Sequence, residues 1–517
     1  MLFQRSNVYS WLIAVIVVFI PTAALAQDEA TTSGFLGAIE AVFQVIVDFL
    51  DAFIYFRIGG EQGMPFIVLW LIGGGIFFTL RMGFINIRAF RHAIDVVLGK
   101  YDNPNDQGDV SHFQALAAAL SGTVGIGNIA GVAIAIRMGG PGATFWMTIA
   151  GFLGMSSKFA ECSLGQKYRI IKPDGTVGGG PMYYLSRGLS RMGMRSLGQG
   201  LAILFAILCS IGSLGIGNMF QANQAFSAVA NVVPWLQNLS WLFGIVLAVL
   251  VGLVIVGGIA RIAAVAGILV PVMAIVYAIA CIWVMLVNFT AIPAAIGTII
   301  SQAFSAQAVT GGIVGVITIG FQRAVFSNEA GLGSAAIAHS AARTNEPIRE
   351  GVVALLEPFI DTIVICNMTA IVIVLTGVYA DPTVADLNGA QLSAAAFERV
   401  ISWFPYVIAF AGALFAYSTM IAWSYYGQQS WAYLFGERTV LAYKALFLIC
   451  VFVGAIVNLG AVLDFSDIMA LAMSFPNLLG CFLMSGIIAS DLKDYMTRLR
   501  SGQMLPESEA KAKVAVR

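Results

Sequence analysis

Charged side chains are scarce in this chain. Asp, Glu, Lys and Arg make up 10% of its 517 residues, whereas soluble domains carry about 25%. The three histidines, His92, His112 and His339, are too scattered for a metal site, and the six cysteines lie in apolar stretches without CxxC spacing. The sequence has no HExxH motif, no Ser–His pair and no paired catalytic aspartates. These absences argue against an enzyme.

Hydrophobic residues make up 59% of the chain, which contains 55 glycines and many apolar runs of membrane-spanning length. This composition predicts an all-α polytopic membrane protein. At the N-terminus, Arg5 precedes an apolar run, and Ala24-Leu-Ala26 has the small-x-small form of a signal-peptidase site. Residues 1–26 are therefore predicted to be a cleaved signal peptide, with an uncleaved anchor as the alternative. A periplasmic segment, 27–63, follows and includes an amphipathic helix at 35–56.

Hydropathy predicts eleven transmembrane segments: 64–82, 112–137, 141–166, 197–230, 241–258, 262–288, 310–341, 351–379, 402–433, 440–460 and 464–489. With the mature N-terminus outside, the loops rich in Lys and Arg all fall on the inner side, as the positive-inside rule requires. The tail, 490–517, is then cytoplasmic. We expect a multi-pass protein of a bacterial inner membrane.

The eleven segments also divide into two halves of opposite orientation. The segment 64–82, with its cytoplasmic loop to residue 111, reads as an accessory helix. Residues 112–288 and 310–489 then contain five spans each, joined by a linker at 289–309. Each half begins with a helix interrupted by glycines, which is typical of a 5+5 inverted repeat.

The first interruption is the run Gly122-Thr-Val-Gly-Ile-Gly-Asn128. Irregular backbone at membrane depth is tolerated only where protein buries it or where it lines a cavity. Free N–H groups at such a break suit a carboxylate, and free carbonyls with the Asn128 and Thr123 oxygens suit a sodium ion. Close helix packing through small residues is the alternative.

The second interruption, at 326–333, contains Ser327, Asn328 and Glu329. A carboxylate near the bilayer centre is costly unless it is paired. Glu329 is thus a candidate cation ligand, a gate, or the partner of Arg323, and the sequence leaves these roles open.

Other polar residues in the spans permit two interpretations each. Lys158 and Glu161 read as a structural ion pair, while Asp361 and Asn367 are candidates for an ion pathway. His339 is interpreted as a helix-end residue rather than a proton relay.

Hydroxyls and amides occur in two further spans. Ser418 and Thr419, with Trp423 one turn away, either complete a sodium site or pack against their own helix. The span 197–230 holds three amides that we do not expect to face lipid together: Asn218, Gln221 and Asn223.

Several of these motifs resemble the alanine or glycine:cation symporter family (the sodium:alanine symporters), over about residues 64–490. The motifs are Ser121-Gly-Thr-Val-Gly-Ile-Gly-Asn-Ile-Ala-Gly-Val132, Gly139-Gly-Pro-Gly142, Phe145-Trp146, Gly179-Gly-Pro-Met-Tyr-Tyr184, Phe326-Ser-Asn-Glu-Ala-Gly-Leu-Gly-Ser334 and Ser418-Thr419 with Trp423-Ser-Tyr-Tyr426.

The resemblance implies a symporter that imports alanine, glycine or similar small neutral amino acids with Na+ by alternating access. It implies the fold of the bacterial leucine transporter plus one helix. The implied substrate-binding residues are Thr123, Gly125, Gly127, Asn128, Gln221, Phe226, Thr419 and Trp423. The implied sodium ligands are the carbonyls of Ser121 and Val124 with Ser418 and Thr419, and a second sodium site at Asn128 and Ser327.

Two other functions stay open at this point. One is coupling to protons instead of sodium, and the other is a membrane-embedded sensor that binds an amino acid without moving it. No organic cofactor and no nucleic-acid partner is expected.

Overall fold

The structure is a computed structural model that describes residues 44–504, except for 46, 49, 61–62, 104, 174, 306–311 and 458. The predicted signal peptide and the last residues of the tail lie outside the described residues. So does half of the predicted amphipathic helix at 35–56, whose described residues 44–45, 47–48 and 50–54 are helical.

The described part of the chain is built from helices and two short antiparallel hairpins, Arg57–Ile58 with Met64–Pro65 and Ile170–Ile171 with Val177–Gly178. The α-helices are Phe66–Arg81, Ile85–Arg88, Phe90–Val97, His112–Thr123, Ala130–Gly139, Gly142–Tyr168, Pro181–Arg191, Arg195–Leu214, Phe220–Val232, Ser240–Ile255, Gly258–Val287, Ile292–Ala303, Gly312–Asn328, Ala335–His339, Pro347–Ala354, Leu356–Pro358, Asn367–Leu375, Gly389–Glu398, Phe404–Phe435, Val440–Ile456, Leu459–Leu483 and Ser485–Arg500. Short 3₁₀ turns cover Ile126–Asn128, Pro234–Leu236, Phe289–Ala291, Val378–Ala380, Pro382–Val384 and Glu437–Thr439, and π-helices cover Gly215–Met219 and Phe359–Cys366.

Each predicted transmembrane segment coincides with a helix or with consecutive helices of this set. Six helices among the described residues are long and apolar enough to cross a membrane, or seven when one bent pair is counted as a single span. The helices Phe66–Arg81 and Ser240–Ile255 are apolar but shorter. The helical membrane architecture is therefore confirmed, whereas the number of eleven crossings and the inverted repeat stay predictions.

The first broken helix consists of His112–Thr123 and Ala130–Gly139. It starts with a capping box, in which Ser111 Oγ accepts from the Gln114 N–H and the Gln114 side chain accepts from the Ser111 N–H. The helix ends where the glycines begin, and the two halves meet at an angle of 57°. Because the Val124 ψ is 84°, its carbonyl turns away from the helical direction.

The second broken helix consists of Gly312–Asn328 and Ala335–His339. Three residues between the halves have left-handed backbone: Glu329 at φ 56°, Gly331 at φ 86° and Gly333 at φ 87°. A glutamate rarely adopts this conformation, since it crowds the Cβ atom. The surrounding structure thus holds Glu329 in a backbone conformation that glutamate disfavours.

One buried element was missed by the sequence analysis. The helix Gly389–Glu398 lies within the predicted outer loop 380–401, and one of its faces is fully buried. Arg137, at the end of the first broken helix, donates to the carbonyls of Val384 at 2.7 Å and Leu387 at 2.9 Å. This loop therefore packs against Ala130–Gly139, the second half of the first broken helix.

Candidate substrate and cation site

The first break lies against the middle of the long helix Phe404–Phe435. Ser121 Oγ donates to the Ser418 carbonyl at 2.7 Å, and Ser418 Oγ lies 3.5 Å from the Ser121 carbonyl. Both serines are completely buried. Ser121 and Ser418, two residues of the predicted first sodium site, thus meet at a crossing of two helices, and the other two, Val124 and Thr419, follow them within three residues along their helices.

Thr419 places an unpaired hydroxyl at the break. Its Oγ1 is buried and has no hydrogen-bond partner among the described residues. A Cβ atom added to Gly125 would overlap this hydroxyl and would lie 3.2 Å from Gln221 Oε1. A buried hydroxyl without a partner costs roughly 1–3 kcal/mol, so this position favours a ligand that can pair with it.

Two backbone N–H groups of the break donate hydrogen bonds to side-chain amide oxygens. Gly125 N–H donates to Asn128 Oδ1 at 2.8 Å, and Ile126 N–H donates to Gln221 Oε1 at 3.2 Å. The Gln221 amide donates in turn to the Ile216 carbonyl at 3.0 Å, inside the π-helix. These main-chain donors therefore point at acceptor oxygens, as a seat for a carboxylate requires.

Asn128 joins the two breaks through a buried carboxylate that the sequence did not assign to it. Its Nδ2 donates to Asp361 Oδ1 at 2.5 Å and to Ser327 Oγ at 3.1 Å. Asp361 Oδ2 accepts from Ser327 at 2.9 Å and from Thr362 at 2.7 Å. Among the described residues, this fully buried carboxylate accepts hydrogen bonds from neutral groups only, Asn128, Ser327 and Thr362.

Glu329 contacts Trp423, which resolves one of the alternatives left open by the sequence. Trp423 Nε1 donates to Glu329 Oε1 at 2.8 Å, and Ser334 Oγ donates to Oε2. Arg323 pairs instead with Asp467. The Arg323–Glu329 pair is therefore wrong, and Glu329 links the second break to the long helix Phe404–Phe435.

Three other predicted pocket residues, Thr123, Gly127 and Phe226, each contact different neighbours. The half-buried Phe226 packs against Phe243, with ring centroids 5.6 Å apart. The nearest atom to a Cβ added at Gly127 belongs to Phe326, at 3.8 Å, and Phe326 packs against Phe220. Thr123 Oγ1 lies 3.4 Å from the Ala119 carbonyl of its own helix.

Asn218 and Asn223 turn away from the break. Asn218 donates to the Phe447 carbonyl and Asn223 to the Val457 carbonyl, both at 2.8 Å. Asn367 donates to the Ile363 carbonyl and accepts from Thr148 at 3.0 Å. These three amides satisfy backbone and neighbouring groups between helices.

A chain of buried charges runs beside the second break. Lys158 lies 3.9 Å from Glu161, as predicted, and 3.2 Å from Glu357. His339 connects Glu357, at 3.4 Å, to Glu350, at 2.6 Å. Glu350 also contacts His112, the first residue of the first broken helix.

This chain ties the two broken helices to the helices that follow them. Each of its members, His112, Lys158, Glu161, His339, Glu350 and Glu357, is fully buried or nearly so. Asn477 extends it by donating to Glu161 at 2.8 Å and to the Gly331 carbonyl at 2.7 Å. His339 is thus part of a buried ionic network rather than an isolated helix-end residue.

Two broken membrane helices that meet through buried polar groups are an arrangement typical of secondary transporters. A solved structure, MhsT in complex with L-phenylalanine, matches with a TM-score of 0.54 at 14% identity, over 73% of this chain and 89% of that chain. The chain therefore has the fold of the leucine-transporter class.

A profile of the sodium:alanine symporter family matches residues 42–510. The sodium/alanine symporter AgcS of Methanococcus maripaludis is 42% identical over 83% of this chain and 94% of its own length. The amino-acid carrier protein AlsT of Bacillus subtilis is 37% identical over 84% of this chain and 90% of its own. The chain belongs to the sodium:alanine symporter family, whose members are transporters.

Proposed function

We propose that the chain is a sodium-coupled symporter that imports alanine, glycine or a similar small neutral amino acid by alternating access. The observation that carries this proposal is the unpaired, buried Thr419 hydroxyl at the Gly125 break. It stands beside Ser121 and Ser418, which already exchange contacts between the two helices. The names of the two relatives, which refer to sodium, alanine and amino acids, agree with it.

The first cation site is the crossing of the first break and the long helix. Sodium prefers oxygen ligands, and the proposed set combines the Ser121 and Val124 carbonyls with the Ser418 and Thr419 hydroxyls. The Val124 carbonyl is turned out of its helix by the ψ of 84°. A sodium ion here would give the Thr419 oxygen the partner that it lacks.

The amino-acid seat is the backbone between Gly125 and Asn128, close to Gln221. A substrate carboxylate would take the place of the Gln221 oxygen at the Ile126 N–H. Thr123, Thr419 and Trp423 stay assigned to the same pocket. Phe226 is kept only as a residue behind it, because its ring lies against Phe243.

A second cation is proposed where Asn128 and Ser327 meet, with Asp361 added as its charged ligand. A buried, ionised carboxylate with only neutral partners costs several kcal/mol unless a cation offsets it. Sodium is one such cation and a proton is the other. Asp361 therefore also supports the second candidate function, a proton-coupled amino-acid transporter.

Uptake of radiolabelled alanine into proteoliposomes distinguishes these functions. One sodium ion crossing about 100 mV supplies roughly 2.3 kcal/mol, and a tenfold sodium gradient adds about 1.4 kcal/mol. Together they sustain roughly 500-fold accumulation of a zwitterion, at about 1.4 kcal/mol per tenfold. Accumulation should disappear when choline replaces sodium.

The same vesicles carry the controls. Equal accumulation of alanine in choline with an inward proton gradient would show that the protein is coupled to protons and not to sodium. Saturable alanine binding to the purified protein, without uptake under either gradient, would instead indicate a sensor.

A further inference from the structure

A basic cavity lies between the end of the helix Phe66–Arg81 and the C-terminal helix Ser485–Arg500. Its volume is about 400 Å³, within the range of about 300–1,000 Å³ typical of ligand pockets. Four cationic side chains line it: Arg81, Arg88, Lys493 and Arg500. None of the described residues that line it is acidic.

Among the described residues, no carboxylate forms an ion pair with the cations of this cavity. The two aspartates of the C-terminal helix point elsewhere, since Asp491 pairs with Lys167 at 2.5 Å and Asp494 with Arg498 at 2.7 Å. Arg88 donates to the Gly83 carbonyl at 3.0 Å, which fixes it at the rim.

The segment beside the cavity has the pattern of a helix that lies in a membrane surface. Its exposed apolar side chains recur at roughly helical spacing, with the exposed Arg88 and Arg91 between them: Phe84 is 45% exposed, Ile87 61%, Ile94 41% and Leu98 70%. The opposite face, including Ile85, Ala89, Ala93 and Val96, is completely buried in the protein. An exposed apolar stripe flanked by arginines suits the boundary between headgroups and acyl chains.

Exposed apolar side chains adjoin the cavity. Leu80, one residue before Arg81, is 61% exposed, so an apolar surface leads up to the cations. The cavity wall itself combines them with Met82, Leu492 and Met496. A ligand that fits has a strong negative charge at one end and hydrocarbon at the other.

We propose that this cavity binds the phosphate headgroup of an anionic phospholipid. Arg and Lys form charge-assisted hydrogen bonds to phosphate oxygens, and basic pockets at a membrane surface recognise anionic headgroups. The bound lipid joins the Phe66–Arg81 helix to the C-terminal helix. The proposal is independent of the transported substrate.

Native mass spectrometry of the full chain in detergent, titrated with phosphatidylglycerol or phosphatidylcholine, tests this proposal. The double variant Lys493→Gln/Arg500→Gln removes two charges from the cavity. The matched control, Arg195→Gln/Arg438→Gln, removes two exposed charges that do not line it and lie on other elements. Each cation near a membrane surface contributes about 1 kcal/mol, so the cavity variant should bind phosphatidylglycerol about 30-fold more weakly.

We expect weaker lipid binding only in the cavity variant and only for the anionic lipid, phosphatidylglycerol. Equal losses in the cavity variant and the control would overturn the proposal, as would equal binding of phosphatidylcholine by the unmodified protein. Inorganic phosphate at millimolar concentration provides the remaining arm. If it binds as tightly as the lipid and displaces it, the cavity is a phosphate-ion site and the lipid proposal is wrong.

Discussion

Replacing Gly125 by alanine tests whether the first break is a binding site or only a packing contact. The added Cβ would overlap the Thr419 hydroxyl and would lie 3.2 Å from Gln221 Oε1 and 3.3 Å from Thr419 Cβ. The backbone itself does not forbid alanine, because φ of −125° and ψ of −166° are extended values. Any effect of Gly125→Ala therefore comes from the volume of one methyl group at the proposed site.

The magnitude follows from the crowding at this position. Overfilling a packed site costs about 1–3 kcal/mol, which corresponds to roughly 5- to 150-fold in affinity at about 1.4 kcal/mol per tenfold. Because Thr419 is shared between the proposed sodium and substrate sites, we expect both the alanine affinity and the sodium dependence to weaken.

Gly131 provides a matched control six residues further along the same broken helix. A Cβ added there meets no atom within 4 Å. Gly131→Ala should keep normal uptake and stabilise the helix slightly, because alanine favours helices by about 1 kcal/mol over glycine.

Alanine binding and sodium-dependent uptake should be measured on both purified variants, with thermal unfolding as the check on folding. The reasoning would be refuted if Gly125→Ala unfolds like the Gly131 control and keeps alanine affinity within twofold of the unmodified protein.

Four further predictions concern the same site. Gly127→Ala should leave the unfolding temperature unchanged, because its Cβ meets only Phe326 at 3.8 Å, but should lower alanine affinity; unchanged affinity in a binding titration would place the substrate elsewhere. Thr419→Val removes an unpaired hydroxyl and should raise the sodium concentration for half-maximal uptake, without loss of thermal stability. Asp361→Asn should raise that concentration about tenfold or more, as expected for the loss of a charged ligand worth about 1.5–3 kcal/mol, and an unchanged sodium titration would assign the carboxylate a structural role. Trp423→Ala should weaken alanine binding and admit larger amino acids in a competition series from Gly to Phe, whereas an unchanged ranking would exclude Trp423 from the size filter.

The breaks were predictable because glycine runs within apolar segments have few physical explanations. The sequence located both interruptions, and it named Asn128, Ser327, Ser418 and Thr419 as the groups around them. The sequence could not show which of these side chains hydrogen-bond to one another. Asp361 illustrates this, since it was considered for an ion pathway but not as the direct acceptor of the Asn128 amide.

Departures from regular helix explain much of what was missed. The π-helix at Phe359–Cys366 contains Asp361 and brings Cys366 within 3.3 Å of the Asn128 amide. A π-turn shifts the following side chains around the helix axis, so a helical-spacing argument places them on the wrong face. The π-helix at Gly215–Met219 lies beside Trp423, whose ring a Cβ on Gly217 would overlap.

The Glu329–Trp423 contact shows why pairing by sequence proximity failed. Arg323 and Glu329 are six residues apart, but the helix ends at Asn328 and the left-handed Glu329 sends its side chain toward the long helix. There the Glu329 carboxylate accepts hydrogen bonds from Ser334 and Trp423, which belong to different elements. If the angle between the second broken helix and the long helix changes, either the Trp423–Glu329 hydrogen bond breaks or both residues move together. The bond therefore opposes any motion that separates the two helices at this contact. The variant Trp423→Phe removes only the N–H donor, so it distinguishes the effect of this hydrogen bond from the effect of the ring that fills the pocket.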